Sequence, residues 1–434
     1  MKKSYILLTI LLCLLSGCRN SEPVETLPPE TTVPELTETV PVPETTEAPT
    51  IPETESTEPV EEKKIAQRIT DSVEIWLEAI NVTQKLSDLN HYTGIEFNPR
   101  RPLTVSSAEP FSALYILWDD IPGTYTLSWD GGNMECGVHD MIHEYIHLPE
   151  ATTSVTLTFQ EDNPIYLCNI SLYTDGTPPE EEVQEWLPPC NQADILVFPT
   201  HADDEALFFG PLISYYAVEQ DLTVQTAFMV KHDWKVRMHE RLNSLWELGV
   251  RHHPTLASMP DSGSHHLPTI ENYMRPYDVK GWQISQIRRF KPLVIVGHDL
   301  NGEYGNAQHK LNALYLTETV KMAADPTQYE ETVQLYGVWD TPKLYLHLYW
   351  ENNIILDVNT PMEKDPLGRT PFEAAVDAYD HHESQHQFPF YVSQDDYETG
   401  MDCKRFGLYH SLVGEDTSAD IMENIDIQQW RDAN

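Results

Sequence analysis

Basic residues are scarce in this sequence. Its 434 residues include 27 Lys and Arg against 69 Asp and Glu, which gives a formal net charge of −42. A chain this negative repels a polyanion unless its basic residues cluster locally, and we find no such cluster in the sequence. The composition therefore predicts a protein that does not bind nucleic acid.

Long apolar runs are equally scarce. The run from Ile6 to Leu15 approaches membrane length, and nothing comparable follows it, which excludes a multispanning membrane protein. Two lysines precede this run and small residues follow it, as in a secretory signal. Residues 15–18, Leu-Ser-Gly-Cys, also resemble the bacterial lipobox, which implies cleavage before Cys18 and lipidation of its sulfur. We expect an extracytoplasmic protein held to the membrane only by this lipid; the alternative is a plain signal peptide with an incidental cysteine.

Cysteine is the third scarce residue type, with six in the chain. Cys13 would leave with the signal and Cys18 would carry the lipid. The others are Cys136, Cys168, Cys190 and Cys403. Four cysteines in an exported protein allow three complete disulfide pairings, and Cys136 with Cys168 is the pair most expected to share a domain. No C-x-x-C spacing occurs among them, which argues against a cysteine metal site.

Composition divides the remainder of the chain into segments. After the signal peptide (1–17), residues 18–64 are rich in Glu, Thr and Pro, which predicts a disordered, extended stalk. Residues 65–176 alternate apolar and polar positions in short runs, a pattern typical of an antiparallel β-sandwich, and 177–192 are predicted to be a linker. Exported sandwiches of this size often bind glycans. Trp118 and Trp129 could stack on a sugar or belong to the core.

Residues 193–434 show a different pattern. The runs Ile195–Phe198, Val224–Val230 and Leu293–Gly297 are short and continuously apolar, as expected of parallel strands covered on both faces. Apolar residues recur at helical spacing from Val236 to Leu248. This alternation predicts a Rossmann-like, doubly wound, mostly parallel α/β sheet.

Two further elements are predicted near the C-terminus. Leu344, Leu346 and Leu348 alternate ahead of a turn at 352–353, which predicts a hairpin. Residues 371–385 predict a helix that carries His382 toward one end.

Polar residues follow two of the buried runs. His201-Ala202-Asp203-Asp204-Glu205 comes after the first, and His298 to His309 comes after Leu293–Gly297. Ligands in such sheets bind at the carboxyl ends of the strands, where both segments should lie. A catalytic Zn²⁺ takes three His or carboxylate ligands and a water. His201, Asp204 and His309 are the candidate ligands. The alternative for the aspartate pair alone is a helix N-cap.

Four ordered motifs resemble the LmbE-like (PIG-L) family of N-acetylglucosamine deacetylases. His-Ala-Asp-Asp-Glu is similar to that family's His-Pro-Asp-Asp-Glu signature, and Arg237 to Glu240 to its Arg-x-x-Glu helix. Residues 298–309 match its Gly-Glu-Tyr-Gly-His-x-x-His segment, and residues 382–385 its His-x-Ser-Gln. The resemblance spans about residues 190–390.

The resemblance implies a role for each matching residue. His201, Asp204 and His309 would be the zinc ligands and Asp203 the general base. Arg237 and His382 are assigned to substrate binding. For Arg237, the alternative is a surface pair with Glu240, and for His382, a capping contact.

The sequence departs from the family pattern at Asn306, where the family usually has a histidine that protonates the leaving amine. Asparagine can donate a hydrogen bond to an oxyanion, but it cannot transfer a proton near neutral pH. His298 or a protonated Asp203 could supply the proton instead; His298 could equally orient a ligand.

These observations predict a zinc-dependent hydrolase that deacetylates an N-acetylated amino sugar or glycan at the cell surface. The main alternative is a surface glycan-binding lipoprotein whose α/β domain is weakly active or inactive. Asn306 and the preceding sandwich both favour this alternative. A metal hydrolase of another ester or amide is a third possibility.

Overall fold

The computed structural model describes residues 64–160, 163–232 and 234–433, which fall in one compact unit. The signal peptide, Cys18 and the stalk up to residue 63 lie outside the described residues. Among those described, no helix combines the length and apolar character that crossing a bilayer requires.

Two sheets account for the strands of the described residues. The strands are β1 (Arg68–Ile69), β2 (Glu74–Leu77), β3 (Ile80–Asn81), β4 (Ile95–Phe97), β5 (Leu103–Trp118), β6 (Tyr125–Trp129), β7 (Gly132–Cys136), β8 (His143–Phe159), β9 (Ile165–Tyr173), β10 (Ile195–Val197), β11 (Val224–Val230), β12 (Thr255–Met259), β13 (Val294–Gly297), β14 (Lys343–His347), β15 (Asn353–Ile355) and β16 (Arg405–Ser411). The α-helices are α1 (Thr83–Leu86), α2 (Asp204–Leu207), α3 (Gly210–Ser214), α4 (Val236–Glu247), α5 (Leu267–Met274), α6 (Val279–Phe290), α7 (Ala307–Met322), α8 (Glu330–Tyr336), α9 (Pro371–Asp380) and α10 (Ile427–Ala433).

Strands β1–β9, in the region where the sequence predicted an antiparallel β-sandwich, form one continuous antiparallel sheet. The long strands β5 and β8 run through both halves of it: the start of β5 pairs with β2, and its end pairs with β9. A register shift between Ser106 and Phe111 separates these halves. Trp118 and Phe159, one from each half, pack with ring centroids 5.9 Å apart. The two halves therefore close on a shared core.

The tryptophans of this sheet differ in burial. Trp118 is fully buried and its indole N–H donates to Glu144 at 2.8 Å, so it is a core residue. Trp129 is half-buried and donates to Glu150 at 3.0 Å.

The second sheet has the order β12-β11-β10-β13-β14-β16-β15. Its first four pairings are parallel and the pairings of β16 are antiparallel. Parallel pairing of the three apolar runs is therefore confirmed, although antiparallel pairing predominates when both sheets are counted over the described residues. The order of strands reverses direction between β10 and β13. In open α/β sheets, this switch point is where ligands bind.

Both faces of the second sheet are covered by helices. Ile195 and Val197 pack in a cluster with Leu242 of α4, whereas Leu196 packs on the other face with Leu316 of α7. Alternate side chains of one strand thus reach two different helical layers, which explains the continuous apolar run of β10.

Two predicted details are wrong. β14 and β15 do not form a hairpin, because β16 lies between them and pairs with both. α9 begins with a capping box at Thr370 but ends at Asp380, since His382 has non-helical dihedral angles and a separate 3₁₀ turn follows. Cys136 and Cys168 both lie in the first sheet, in β7 and β9, as expected of two cysteines of one domain, and both are free.

Candidate metal centre and active site

The three candidate ligands meet at the switch point of the second sheet. His201 follows β10, Asp204 begins α2, and His309 lies in the first turn of α7. His201 Nδ1 lies 2.9 Å from His309 Nε2, and Asp204 Oδ2 lies 3.5 Å from the first of these atoms and 3.4 Å from the second. Ligands bonded to one tetrahedral Zn²⁺ at about 2.0–2.2 Å are separated by roughly 3.3–3.6 Å. Both separations from Asp204 fall in this range and the one between the two histidines is shorter, so the three atoms lie close enough together to share one ion.

The hydrogen bonds around His309 place the proton of its neutral ring on Nδ1. His309 Nδ1 lies 2.8 Å from Glu303 Oε2, and an ionised carboxylate only accepts, so Nδ1 is the donor. Burial opposes ionisation of Glu303, but its histidine partners hold the pKa of this carboxyl well below its usual range. A neutral His309 then presents the Nε2 lone pair to the cluster, as a metal-ligating histidine with a carboxylate partner does.

His201 is oriented in the same way. The backbone N–H of Ser262 donates to Gln308 Oε1 at 2.7 Å, which identifies that atom as the amide oxygen. His201 Nε2 lies 3.3 Å from this oxygen and 3.5 Å from Asp261 Oδ1, so in the neutral ring Nε2 is the donor and Nδ1 carries the lone pair. The two ring nitrogens face each other at 2.9 Å, so either a proton or a metal ion must lie between them.

The charge of the surroundings also suits a cation. Burial lowers the pKa of His201, yet hydrogen bonds to Asp204 and Asp261 outweigh this effect and raise it to about 9. Carboxylates that stabilise a buried imidazolium would stabilise a bound metal ion by the same field. The residues present thus fit a divalent cation.

Asp203 lies beside the three candidate ligands and is held by Arg237. Its Oδ1 is 3.1 Å from a guanidinium nitrogen of Arg237, which also donates to the backbone carbonyl of Ala202. Burial raises the pKa of Asp203 to about 6, against the opposing charge of Arg237. Asp203 has φ of +121°, a strained value for a residue with a side chain. Arg237 does not pair with Glu240, which instead accepts from Ser384 at 2.6 and 2.8 Å.

His298 lies behind the ligands. It is fully buried and stacks on His309, with ring centroids 4.2 Å apart. Its Nδ1 is 2.8 Å from Glu303 Oε2, and its Nε2 is 3.3 Å from Asp204 Oδ2. Nε2 also accepts from the backbone N–H of Thr200 at 3.0 Å, so both ring nitrogens are already engaged, which favours the orienting role over the acid role.

Asn306 is the N-cap of α7. Its side-chain oxygen accepts from the backbone N–H groups of Gln308 at 2.8 Å and His309 at 3.3 Å. This oxygen is therefore committed to starting the helix that carries His309, and only the amide N–H groups remain for a substrate.

His382 contacts Glu205 rather than open space. Its Nε2 is 2.6 Å from Glu205 Oε1, and the whole side chain is buried. Its Nδ1 has no hydrogen-bond partner among the described residues.

Three residues for which the sequence predicted no role also contribute to the site. Glu303 orients His309 and His298. The signal in the sequence was that Glu303 lies in the same polar segment as His309, six residues before it. Asp261 lies in a loop outside every motif, where no pattern marked it. The third is Tyr304: burial, together with nearby Asp204 and Asp203, raises its pKa, so its hydroxyl remains a donor at this edge.

A cleft of about 590 Å³ adjoins the same loops. It is lined by Asp299, Asn301, Tyr304, Tyr397 and Glu398, among others. Tyr304 borders both the cleft and His309, whose ring centroid is 5.4 Å from that of the tyrosine.

Comparison with known proteins yields similarities of shape only. No known family matches the chain, and no curated protein sequence does. N,N′-diacetylchitobiose deacetylase from Pyrococcus horikoshii is 16% identical, covering 50% of this chain and 83% of its own, with a TM-score of 0.36. The conserved protein TT1542 from Thermus thermophilus is 16% identical over 50% and 94%, with a TM-score of 0.33. A pectin-binding carbohydrate-binding module is 13% identical over 26% and 96%, with a TM-score of 0.20. No assignment of fold or activity rests on these similarities.

Proposed function

We propose that this chain is a metal-dependent hydrolase that removes the acetyl group from an N-acetylated amino sugar or glycan, anchored at the outer surface of the membrane by a lipid on Cys18. The observation that carries the proposal is the convergence of His201 Nδ1, Asp204 Oδ2 and His309 Nε2 within 3.5 Å of one another. The choice of an N-acetylated sugar as substrate comes from the resemblance of the sequence motifs to the deacetylase family, and these three residues belong to those motifs.

Zn²⁺ is the proposed ion, with His201, Asp204 and His309 as its ligands. When bound, it would supply a Lewis acid for the acetamide carbonyl and lower the pKa of a coordinated water to about 7.

Asp203 is the proposed general base. A carboxylate whose pKa is about 6 is mostly ionised at neutral pH, yet close enough to neutrality to accept the proton of the attacking water efficiently. Because both ring nitrogens of His298 are engaged, by Glu303 and by the backbone N–H of Thr200, we assign to Asp203 the return of that proton to the leaving amine. The acetyl group then leaves as acetate and the sugar as the free amine.

Arg237 is the proposed substrate contact. Its Nε–H is buried and has no hydrogen-bond partner among the described residues, although its terminal nitrogens are bonded. A buried donor without a partner costs stability, so an acceptor on the substrate would satisfy it. The Asn306 amide and the Tyr304 hydroxyl are the neutral donors available to the acetamide oxygen as charge develops on it.

The test is acetate release from N-acetylglucosamine oligomers by the metal-loaded full chain. We expect turnover in the unchanged protein and a loss of about 10²–10⁴-fold in Asp203→Asn, with the metal content unchanged. Asp365→Asn is the matched control, since Asp365 is also a buried aspartate paired with an arginine, at 2.9 Å, but lies outside the site; it should retain turnover.

Bound metal without acetate release, or turnover that Asp203→Asn leaves unchanged, would overturn the proposal and support the glycan-binding alternative. Turnover of acetate esters in place of the N-acetyl sugars would instead indicate a metal hydrolase of another class.

A further inference from the structure

A second group of ligand-type side chains lies where the first sheet meets α4. Asp119 directly follows β5, Cys168 belongs to β9, and His239 belongs to α4. His239 Nε2 lies 3.5 Å from Cys168 Sγ and 3.6 Å from Asp119 Oδ1. With Zn–N and Zn–O bonds near 2.0–2.1 Å and a Zn–S bond near 2.3 Å, tetrahedral ligands are separated by about 3.3–3.6 Å. Both separations from His239 match this range, and the Cys168 and Asp119 ligand atoms lie within 4.8 Å of each other, so the three side chains could share one ion.

A chain of hydrogen bonds determines the tautomer of His239. The indole N–H of Trp186 donates to Gln184 Oε1 at 3.1 Å, which identifies this atom as an acceptor. His143 Nδ1, 3.1 Å from the same oxygen, must then donate to it. His143 Nε2 is consequently the acceptor for His239 Nδ1–H, at 2.8 Å. The lone pair of His239 is left on Nε2, the atom that faces the thiol and the carboxylate.

The surroundings offer the ion a route from solvent past Asp119, and the positive charge of Lys235 lies beside that carboxylate. Cys168 and His239 are buried, but the Asp119 side chain is 25% exposed. Lys235 Nζ lies 3.8 Å from the second oxygen of Asp119, so Oδ1 remains directed at His239. His91 stacks on His239 with ring centroids 5.0 Å apart, and its buried Nδ1 has no hydrogen-bond partner among the described residues. It is the nearest additional imidazole for a fourth position that water would otherwise fill.

We infer that Asp119, Cys168 and His239 bind a second divalent cation of the zinc type, with a structural role. Its ligands join β5 and β9 to α4, so the ion would fasten the helix to the first sheet. Arg237 precedes His239 by two positions, and residues two apart project from different sides of a helix. The ion would thus fix α4 from a different side than the one that carries Arg237.

Binding this ion requires a thiolate. Burial and the Asp119 carboxylate raise the pKa of Cys168, so without an ion the thiol keeps its proton, with the His91 carbonyl, the Asp119 carboxylate and His239 Nε2 as the acceptors around it. Metal binding replaces that proton, which is released to solvent. In the competing structure the thiol keeps its proton and only donates a hydrogen bond. The two structures therefore differ in whether a sulfur–metal bond forms.

The test uses cobalt(II) added to the metal-free full chain, followed by near-ultraviolet absorption. A thiolate ligand gives a sulfur-to-cobalt charge-transfer band, whereas the His201, Asp204 and His309 cluster contains no sulfur and cannot produce one. We expect the band in the unchanged protein, its loss in Cys168→Ser and His239→Gln, and one equivalent less of bound cobalt in each. Cys136→Ser, which removes another buried free thiol, should keep the band.

His309→Ala should also keep the band while losing an equivalent of cobalt, so failure of the proposed hydrolase and failure of this inference give different results. Absence of the band from the unchanged protein, or its persistence in Cys168→Ser, would overturn the inference. Absence of the band is measured on the unchanged protein, so that outcome does not depend on whether any variant folds.

Discussion

The two ligand clusters of this chain differ in where their residues come from. His201, Asp204 and His309 follow the ends of neighbouring parallel strands in one sheet, whereas Asp119, Cys168 and His239 come from two strands of one sheet and a helix that packs on it. In the first cluster a carboxylate contacts each histidine, Glu303 at His309 and Asp261 (beside an amide oxygen) at His201, whereas a chain of neutral groups orients the histidine of the second. The first cluster therefore has the stronger field for a cation and the better defined position.

The largest expected effect of breaking the first cluster is on turnover. His309→Ala removes one ligand, and a metal ion contributes several kcal/mol to stabilising the transition state, which corresponds to at least about 10³-fold in rate. The measurement is acetate release at saturating zinc. Retention of more than about a tenth of the activity would contradict the ligand role of His309.

Metal affinity should separate the two kinds of orienting residue. Glu303→Gln weakens the hold on His309, and loss of such a partner typically lowers metal affinity about 10–100-fold. Gln184→Ala should reduce affinity at the second cluster toward the lower end of that range. Competition with a chelator of known affinity measures both, and Glu318→Gln, an exposed partner of Lys280, is the control. Equal metal affinity in Glu303→Gln and the unchanged protein would contradict the role of Glu303 in orienting His309.

The sequence predicted the first cluster and not the second, for a physical reason. Parallel strands end at the same sheet edge, so His201 and His309 could be brought together from the strand pattern alone. No periodicity indicates which helix face packs on which sheet, and His239 therefore had no visible connection to Cys168. The alternation at Leu344 and Leu346 likewise identified a strand, but local pattern contains nothing about β16, which lies beyond the supposed hairpin.

A helix cap gives the first cluster part of its order, and its removal should have a moderate effect on stability. Asn306→Ala deletes the acceptor for two backbone N–H groups, which should lower the free energy of unfolding by about 1 kcal/mol. Asn306→Ser keeps a capping oxygen and should lose only a few tenths of this amount. Urea denaturation compares them; equal stability of the two variants would show that the cap does not matter.

The smallest effect concerns a carboxylate outside both clusters. Hydrogen bonds from His381 and Arg369 lower the pKa of Glu247 to about 2. Because this folded-state pKa lies below the ordinary glutamate value of 4.5, the group stabilises the fold above about pH 4.5 and loses that contribution as the pH falls toward 2. Glu247→Gln should therefore show a shallower loss of stability across this window, measured as urea midpoints at several pH values. An unchanged pH dependence would contradict the assignment.

Anomalous diffraction at the zinc absorption edge, from crystals of the full chain grown with zinc, tests the central claim most directly. The account predicts a peak at bonding distance from His201 Nδ1, Asp204 Oδ2 and His309 Nε2 together. Ordered side chains with no peak among these three atoms, or an ion bound by only one of them, would contradict it.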